Sequence, residues 1–266
     1  MEKNSDLLIL VTNDDGIYAP GLQVLVNTMK PYGQIIVMAP EHSKSGMSHA
    51  ITVKEPLRIR SLKKEGNVEV FSSNGTPVDC IKLATTVVLK NKKPDLIVSG
   101  INHGANSSAS IFYSGTMGAA IEGCLSGIPS IGFSLANHSI NADFSPVVPY
   151  VKRIVENTLK NQLPESVCLN VNFPSGKSDD IQGIKVCRQA KGYWKENFER
   201  RSDPANFDYY WLTGKFINFE PEAEDTDEWA LRNNYVSIVP VPINLTSESG
   251  IEHIAKWSFI YEHQIQ

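Results

Sequence analysis

Two hydrophobic rhythms alternate along the first 175 residues. The run LLILVT at 7–12 is continuously apolar and of strand length, the pattern of a strand covered on both faces. Pro20 then opens a segment in which Leu22, Leu25, Val26 and Met29 recur at helical spacing, and Gly33 closes it. The alternation continues. QIIVMAP at 34–40 reads as a second strand, PDLIVSG at 94–100 as a third, IPSIGFSL at 128–135 as a fourth and SVCLNVNFP at 166–174 as a fifth. Helical spacing lies between them. Thr76 is placed to cap a helix, with Pro77 at its first position and Asp79 three residues after the cap, and Val78, Ile81, Thr85 and Val88 share one face. TMGAAIEGCLSG at 116–127 predicts a small-residue helix, and Val147, Val151, Ile154, Val155 and Leu159 predict another over 146–163.

Short aliphatic strands separated by single helices imply parallel pairing, because parallel neighbours need a long crossover. The expected class is therefore α/β, a Rossmann-like doubly wound and mainly parallel sheet. ITVKEPLRIRSL and NVEVFSS, around KKEGN, predict an inserted hairpin between the second and third strands. After about residue 190 the rhythm is lost. The segment 192–210 is aromatic and charged without periodicity, and two strand-like runs at 209–219 and 234–243 bracket an acidic stretch. We read residues 1–266 as a single domain, a core of about 1–190 and a C-terminal extension of about 191–266. Its aromatics mark a subunit interface or cap the core.

Composition narrows the picture only a little. Hydrophobic residues at 41% and charged residues at 20% describe an ordinary globular chain, and a net charge of −4 gives no pull toward nucleic-acid duplex or anionic membrane. The four cysteines are widely spaced with no C-x-x-C, which suits a reducing compartment. The first apolar run is too short for a signal peptide, and no run approaches the ~20 residues of a membrane span. A cytoplasmic location is expected.

Candidate chemistry is sought in the loop after each strand, since ligands of open parallel sheets sit beyond the carboxyl ends. The first strand leads into Asn13, Asp14 and Asp15, and the second into a loop with Ser43, Ser45, Gly46, Ser48 and His49. After the third come Asn102, His103 and Asn106. These are oxygen donors suited to a hard divalent cation. Ser114, Gly115 and Thr116 precede the small-residue helix, where free N–H groups favour an anion. Each element also has a local explanation. Asp15 could cap the helix near Pro20, and Ser114 or Thr116 could cap the later one. No P-loop, G-x-G-x-x-G, H-E-x-x-H or G-x-S-x-G motif occurs.

VTNDDGIYAPG, APEHSKSG, NGTPVDCIKLA, PDLIVSGINHGAN and YSGTMGAAIEG, in this order, resemble the SurE family, as does the later DTDEWALRNNYVSIVPV. The resemblance covers most of the chain. It implies a metal-dependent phosphatase acting on nucleoside monophosphates, chiefly 5′ but also 3′, with one divalent ion per subunit, Mg²⁺ or Mn²⁺. The implied metal ligands are Asp14, Asp15, Ser45 and Asn102. Ser114, Gly115 and Thr116 would hold phosphate, with Asn13, Gly46 and Asn106 as further contacts. Asp15 is a candidate base and His103 a candidate acid, and Tyr113, Tyr193 or Trp194 could stack on a base. Family members form homodimers or homotetramers through the C-terminal extension. Two other classes remain in view: a receiver-type phosphoacceptor, which needs an aspartate where Asn102 stands, and a nucleotide-binding protein without turnover.

Overall fold

The computed structural model describes residues 7–257, so both ends of the expected 1–266 domain lie outside the described residues. Its centre is a nine-stranded sheet of β1 (Leu7–Thr12), β2 (Gly33–Pro40), β3 (Ile59–Glu65), β4 (Val68–Ser73), β5 (Leu96–His103), β6 (Ser130–Leu135), β7 (Val167–Phe173), β8 (Gly183–Val186) and β11 (Tyr235–Pro242). The spatial order is β3-β4-β2-β1-β5-β6-β7-β11-β8. Strands β4 to β7 in that row are parallel, while β3 on β4 and β11 on β7 are antiparallel. The Rossmann-like α/β class is as expected, and the predicted hairpin β3–β4 extends the sheet at one edge.

Alternate residues of each inner strand feed opposite faces. Ile9 and Val11 join the core packed by α1 (Pro20–Met29) and α4 (Val148–Asn161), while Leu8 and Leu10 face α2 (Pro77–Leu83) and α3 (Gly115–Leu125). That two-sided burial explains why these strands read as unbroken apolar runs. α2 begins as its sequence predicts, with Thr76 Oγ1 accepting from Asp79 N–H and the Asp79 carboxylate accepting from Thr76 N–H.

Three expectations are corrected. β5 does not stop at residue 100. It runs to His103 across a register shift between Ser99 and Asn102, with Gly100 at φ +127 accommodating the irregularity, so Asn102 sits on the strand itself. The unpatterned segment after 190 contains β9 (Gly192–Ser202), which pairs with β10 (Asp208–Asn218) as a separate two-stranded hairpin. It is exposed along most of its length and buries no continuous face, so it has no apolar period to read. Within the acidic stretch, Thr226 caps α5 (Asp227–Arg232), a helix too short to show a pattern.

The switch in winding direction falls between β1 and β5. From β1 the chain moves outward to β2 by way of α1; it re-enters at β5 on the other side of β1 and proceeds to β6. The crevice at that point is where this architecture places ligands.

Candidate active site

The residues that end β1 and β5 meet at this crevice. Asp14 is almost wholly buried, with its carboxylate oxygen Oδ1 accepting from the Thr116 hydroxyl of α3. Asp15 Oδ2 accepts from the backbone N–H of His103 at 3.2 Å, which ties the β1 loop to the end of β5. Asp15 therefore caps no helix: Ala19 stands at the start of α1 and makes no side-chain cap. Burial is the main reason that the Asp14 carboxyl is pushed up to about 6, opposed by the Thr116 hydrogen bond and reinforced by the neighbouring Asp15 charge. Asp15 is raised as well, again chiefly by burial, with the His103 N–H pulling the other way.

Asn102 is oriented by its own strand end. Its Nδ2 donates to the carbonyls of His103 at 3.1 Å and Gly104 at 2.9 Å, so its Oδ1 is the uncommitted end of the amide. The Ser45 loop is hung on β1 by Lys44 N–H donating to Asp14 C=O at 2.7 Å. Ser48 then anchors it to the turn before α3, donating from N to Tyr113 O and from Oγ to Phe112 O. Gly46 sits between these anchors at φ +77, a conformation that favours glycine, with nothing within 4 Å of a would-be Cβ.

Ser114 caps α3 by accepting from Met117 N–H at 3.0 Å, so the local reading of that serine holds. Gly115 is next in the chain, and a Cβ there would lie 2.8 Å from Asp14 Cβ and 3.1 Å from its Oδ2. Only glycine lets the helix start approach the acid this closely. Asn106 is locked from behind by a buried amide network. Its Nδ2 donates to Ser134 Oγ, its N–H donates to Asn172 Oδ1, and its carbonyl accepts from Asn170 Nδ2.

Asp14, Ser45, Gly46, Asn102, Asn106 and Ser114 line one cleft of about 420 Å³, together with His103 and Tyr113. Asn13, Asp15, Gly115 and Thr116 do not line it; they lie behind the surface, buried or half-buried. Tyr193 is turned aside onto Phe219, with ring centroids 5.4 Å apart. The remaining wall comes from the β9–β10 hairpin, through Trp194, the one stacking candidate there that reaches the cleft, and Glu196 and Thr213, and from His138 in the loop after β6. His138 could have been found by applying the strand-end rule to 130–135.

A second pair missed from sequence is Asp227 and Glu228. Asp227 is fully buried. Its carboxylate accepts from the N–H groups of Ser108, Ala190 and Glu228, and the Glu228 carboxylate accepts from Ser107 Oγ. One side chain thus fixes the loop that carries Asn106 and the segment that launches β9. Burial pushes Asp227 up, against those three donors.

The donor set fits a hard cation. Two adjacent carboxylates, a serine hydroxyl and a carboxamide oxygen are all oxygen ligands, of the class Mg²⁺ and Mn²⁺ take. Among the described residues no three His, Cys, Asp or Glu side chains cluster, so neutral oxygens must complete any site built on the acid pair. Beside them the buried Asn13 Oδ1 has no hydrogen-bond partner, and neither do the hydroxyls of Thr12 and Ser99, two residues paired in the β1–β5 register.

The family model described as Survival protein SurE matches residues 9–196. The chain belongs to the SurE family. It is 51% identical over 251 residues to the 5′-nucleotidase SurE of Flavobacterium psychrophilum, covering 94% of this chain and 97% of the relative. Identity to the 5′-nucleotidase SurE of Christiangramia forsetii is 53% over 253 residues, 94% and 96% of the two chains. The crystal structure of the SurE protein from Aquifex aeolicus has the same fold, with a TM-score of 0.80 at 38% identity over 93% of this chain and 98% of that one. The SurE family match ends within the hairpin, at the residue that contributes the Glu196 carboxylate, so α5 and its buried acids lie beyond it.

Proposed function

We propose that this chain is a phosphoric monoester hydrolase, a 5′-nucleotidase with 3′ activity, that works with one divalent ion on Asp14, Asp15, Ser45 and Asn102. The observation that carries the reading is the Asp14–Asp15 pair at the switch point of a SurE-family chain, with the buried Asp14 lining one cleft with Ser45 and Asn102. When bound, such an ion would polarise a phosphoryl oxygen and acidify a bound water.

The protein's own groups do the rest. Thr116 holds Asp14 in one orientation, and His103 N–H does the same for Asp15. The first-turn N–H groups of α3 have no acceptor inside the helix, so the helix start just behind Ser114 adds partial positive charge to the cleft that would hold phosphate. Asn106 reaches the cleft already immobilised, which lowers the cost of ordering it around substrate. Asp15 is the candidate to take a proton from water, and His103, in the cleft wall, is the candidate to give one to the departing ribose oxygen.

The wider reading includes self-association through the hairpin into a homodimer or homotetramer. Phe198, Tyr210 and Trp211 there are exposed apolar side chains outside the cleft lining. Four buried, unpaired cysteines suit a cytoplasmic setting, and no helix among the described residues is long and apolar enough to cross a membrane. Calorimetric titration of the EDTA-treated protein with Mn²⁺ tests the metal site. One equivalent per chain is expected in the wild type and none in Asp15→Asn. A panel of 5′- and 3′-mononucleotides then ranks the substrates, and equal binding in the variant overturns the assignment.

A further inference from the structure

The hairpin wall of the cleft has its own pattern. Across the antiparallel register Trp194 pairs with Phe216, Glu196 with Gly214 and Phe198 with Leu212, so these residues share one face. Trp194, Glu196, Gly214 and Leu212 of that face line the same cleft as Asp14 and Asn102. Gly214 lets the two strands pack closely, because a Cβ there would lie 2.6 Å from the Lys195 carbonyl oxygen, and it adds no side chain to the wall between Trp194 and Leu212. The indole itself is held from two sides. Its Nε1–H donates to Ser110 Oγ at 3.1 Å, and Phe216 packs against it edge-on, with centroids 6.0 Å apart. Its polar edge is thus already engaged, leaving a fixed apolar ring beside an acceptor-only carboxylate in the cleft wall.

We infer that this face is the nucleoside subsite: Trp194 stacks on the base within the cleft, and Glu196 accepts hydrogen bonds from base or ribose donors. The inference rests on the nucleotidase reading, because it assigns the non-phosphate half of that substrate. Stacking on an indole grows with ring area, so purine mononucleotides bind more tightly than pyrimidine ones. A charged acceptor favours bases that present N–H groups, guanine with two adjacent donors above all.

The test compares kcat/KM for AMP, GMP, UMP and ribose 5-phosphate in wild type, W194A and W194F, with adenosine binding measured by calorimetry on the same proteins. In W194A the ratio of kcat/KM for AMP to that for ribose 5-phosphate falls about tenfold, within the range one base–aromatic stack supplies. UMP falls less, and W194F keeps most of the ratio because a ring remains. Adenosine binding is lost in W194A. An unchanged ratio in W194A, or a loss in W194F as large as in W194A, overturns the subsite. A wild type that binds adenosine through Trp194 yet hydrolyses none of the four esters refutes the nucleotidase reading and leaves the subsite standing.

Discussion

Gly115→Ala is the smallest change that reaches the chemistry without touching a side chain proposed as a ligand. The added Cβ meets Asp14 Cβ at 2.8 Å and its Oδ2 at 3.1 Å, where ordinary contact begins near 3.4 Å. The helix start and the acid must therefore separate by about 0.6 Å or more. Overpacking of this kind costs about 1–3 kcal/mol, and alanine in a helix returns roughly 0.5–1 kcal/mol over glycine. Net destabilisation should be at most about 2.5 kcal/mol, a shift of a few degrees in Tm. Activity should suffer more. A misplacement near 1 Å can cost about a hundredfold, so a shift of this size predicts a roughly 10- to 100-fold loss in kcat/KM. The assay is phosphate release from AMP with Mg²⁺ or Mn²⁺, beside a thermal melt. A variant that folds and retains wild-type kcat/KM would refute the argument that Asp14 must sit where it does.

Two further predictions concern the buried acids. Asp14 rises from the ordinary carboxylate range to about 6, so above pH 6 the folded, metal-free protein holds an ionised carboxylate at a cost of ~3 kcal/mol for the shift of about two pH units. Below pH 4 both folded and unfolded forms are protonated there and the cost vanishes. Asp14→Asn should accordingly stabilise the EDTA-treated protein at pH 8, with the gain shrinking toward pH 4 in urea unfolding; a gain independent of pH contradicts the assignment. Asp227→Ala strips the acceptor from two buried N–H groups, each worth about 1–3 kcal/mol, and from the half-buried one of Glu228, and should destabilise by at least about 2 kcal/mol. Hydrogen exchange should quicken at Ser108 and Ala190 together, and quickening at only one of them would show that Asp227 does not join the two walls.

The inner strands were legible because each is buried on two faces and its apolar run admits no other period. The capping box at Thr76 and Asp79 was legible because cap chemistry is local. The end of β5 was not, since the irregularity at Gly100 carries the strand three residues beyond Gly100, where its sequence pattern stops. The hairpin wall was legible only in its second strand, read at 209–219: its residues are exposed along most of their length, and only pairing across 11 positions reveals β9 and which residues share a face. Asp227 reads as part of a solvated acidic run. Nothing local marks it as the one whose carboxylate closes over Ser108 and Ala190.

The most direct measurement of the central proposal is phosphate release from AMP by wild type and Asp14→Asn, after EDTA and again with Mg²⁺ or Mn²⁺ restored. Release that stops with EDTA, returns with the ion and is absent from a folded Asp14→Asn is the predicted result. Release that persists in EDTA, or survives in Asp14→Asn, would contradict a metal-dependent nucleotidase built on this acid pair.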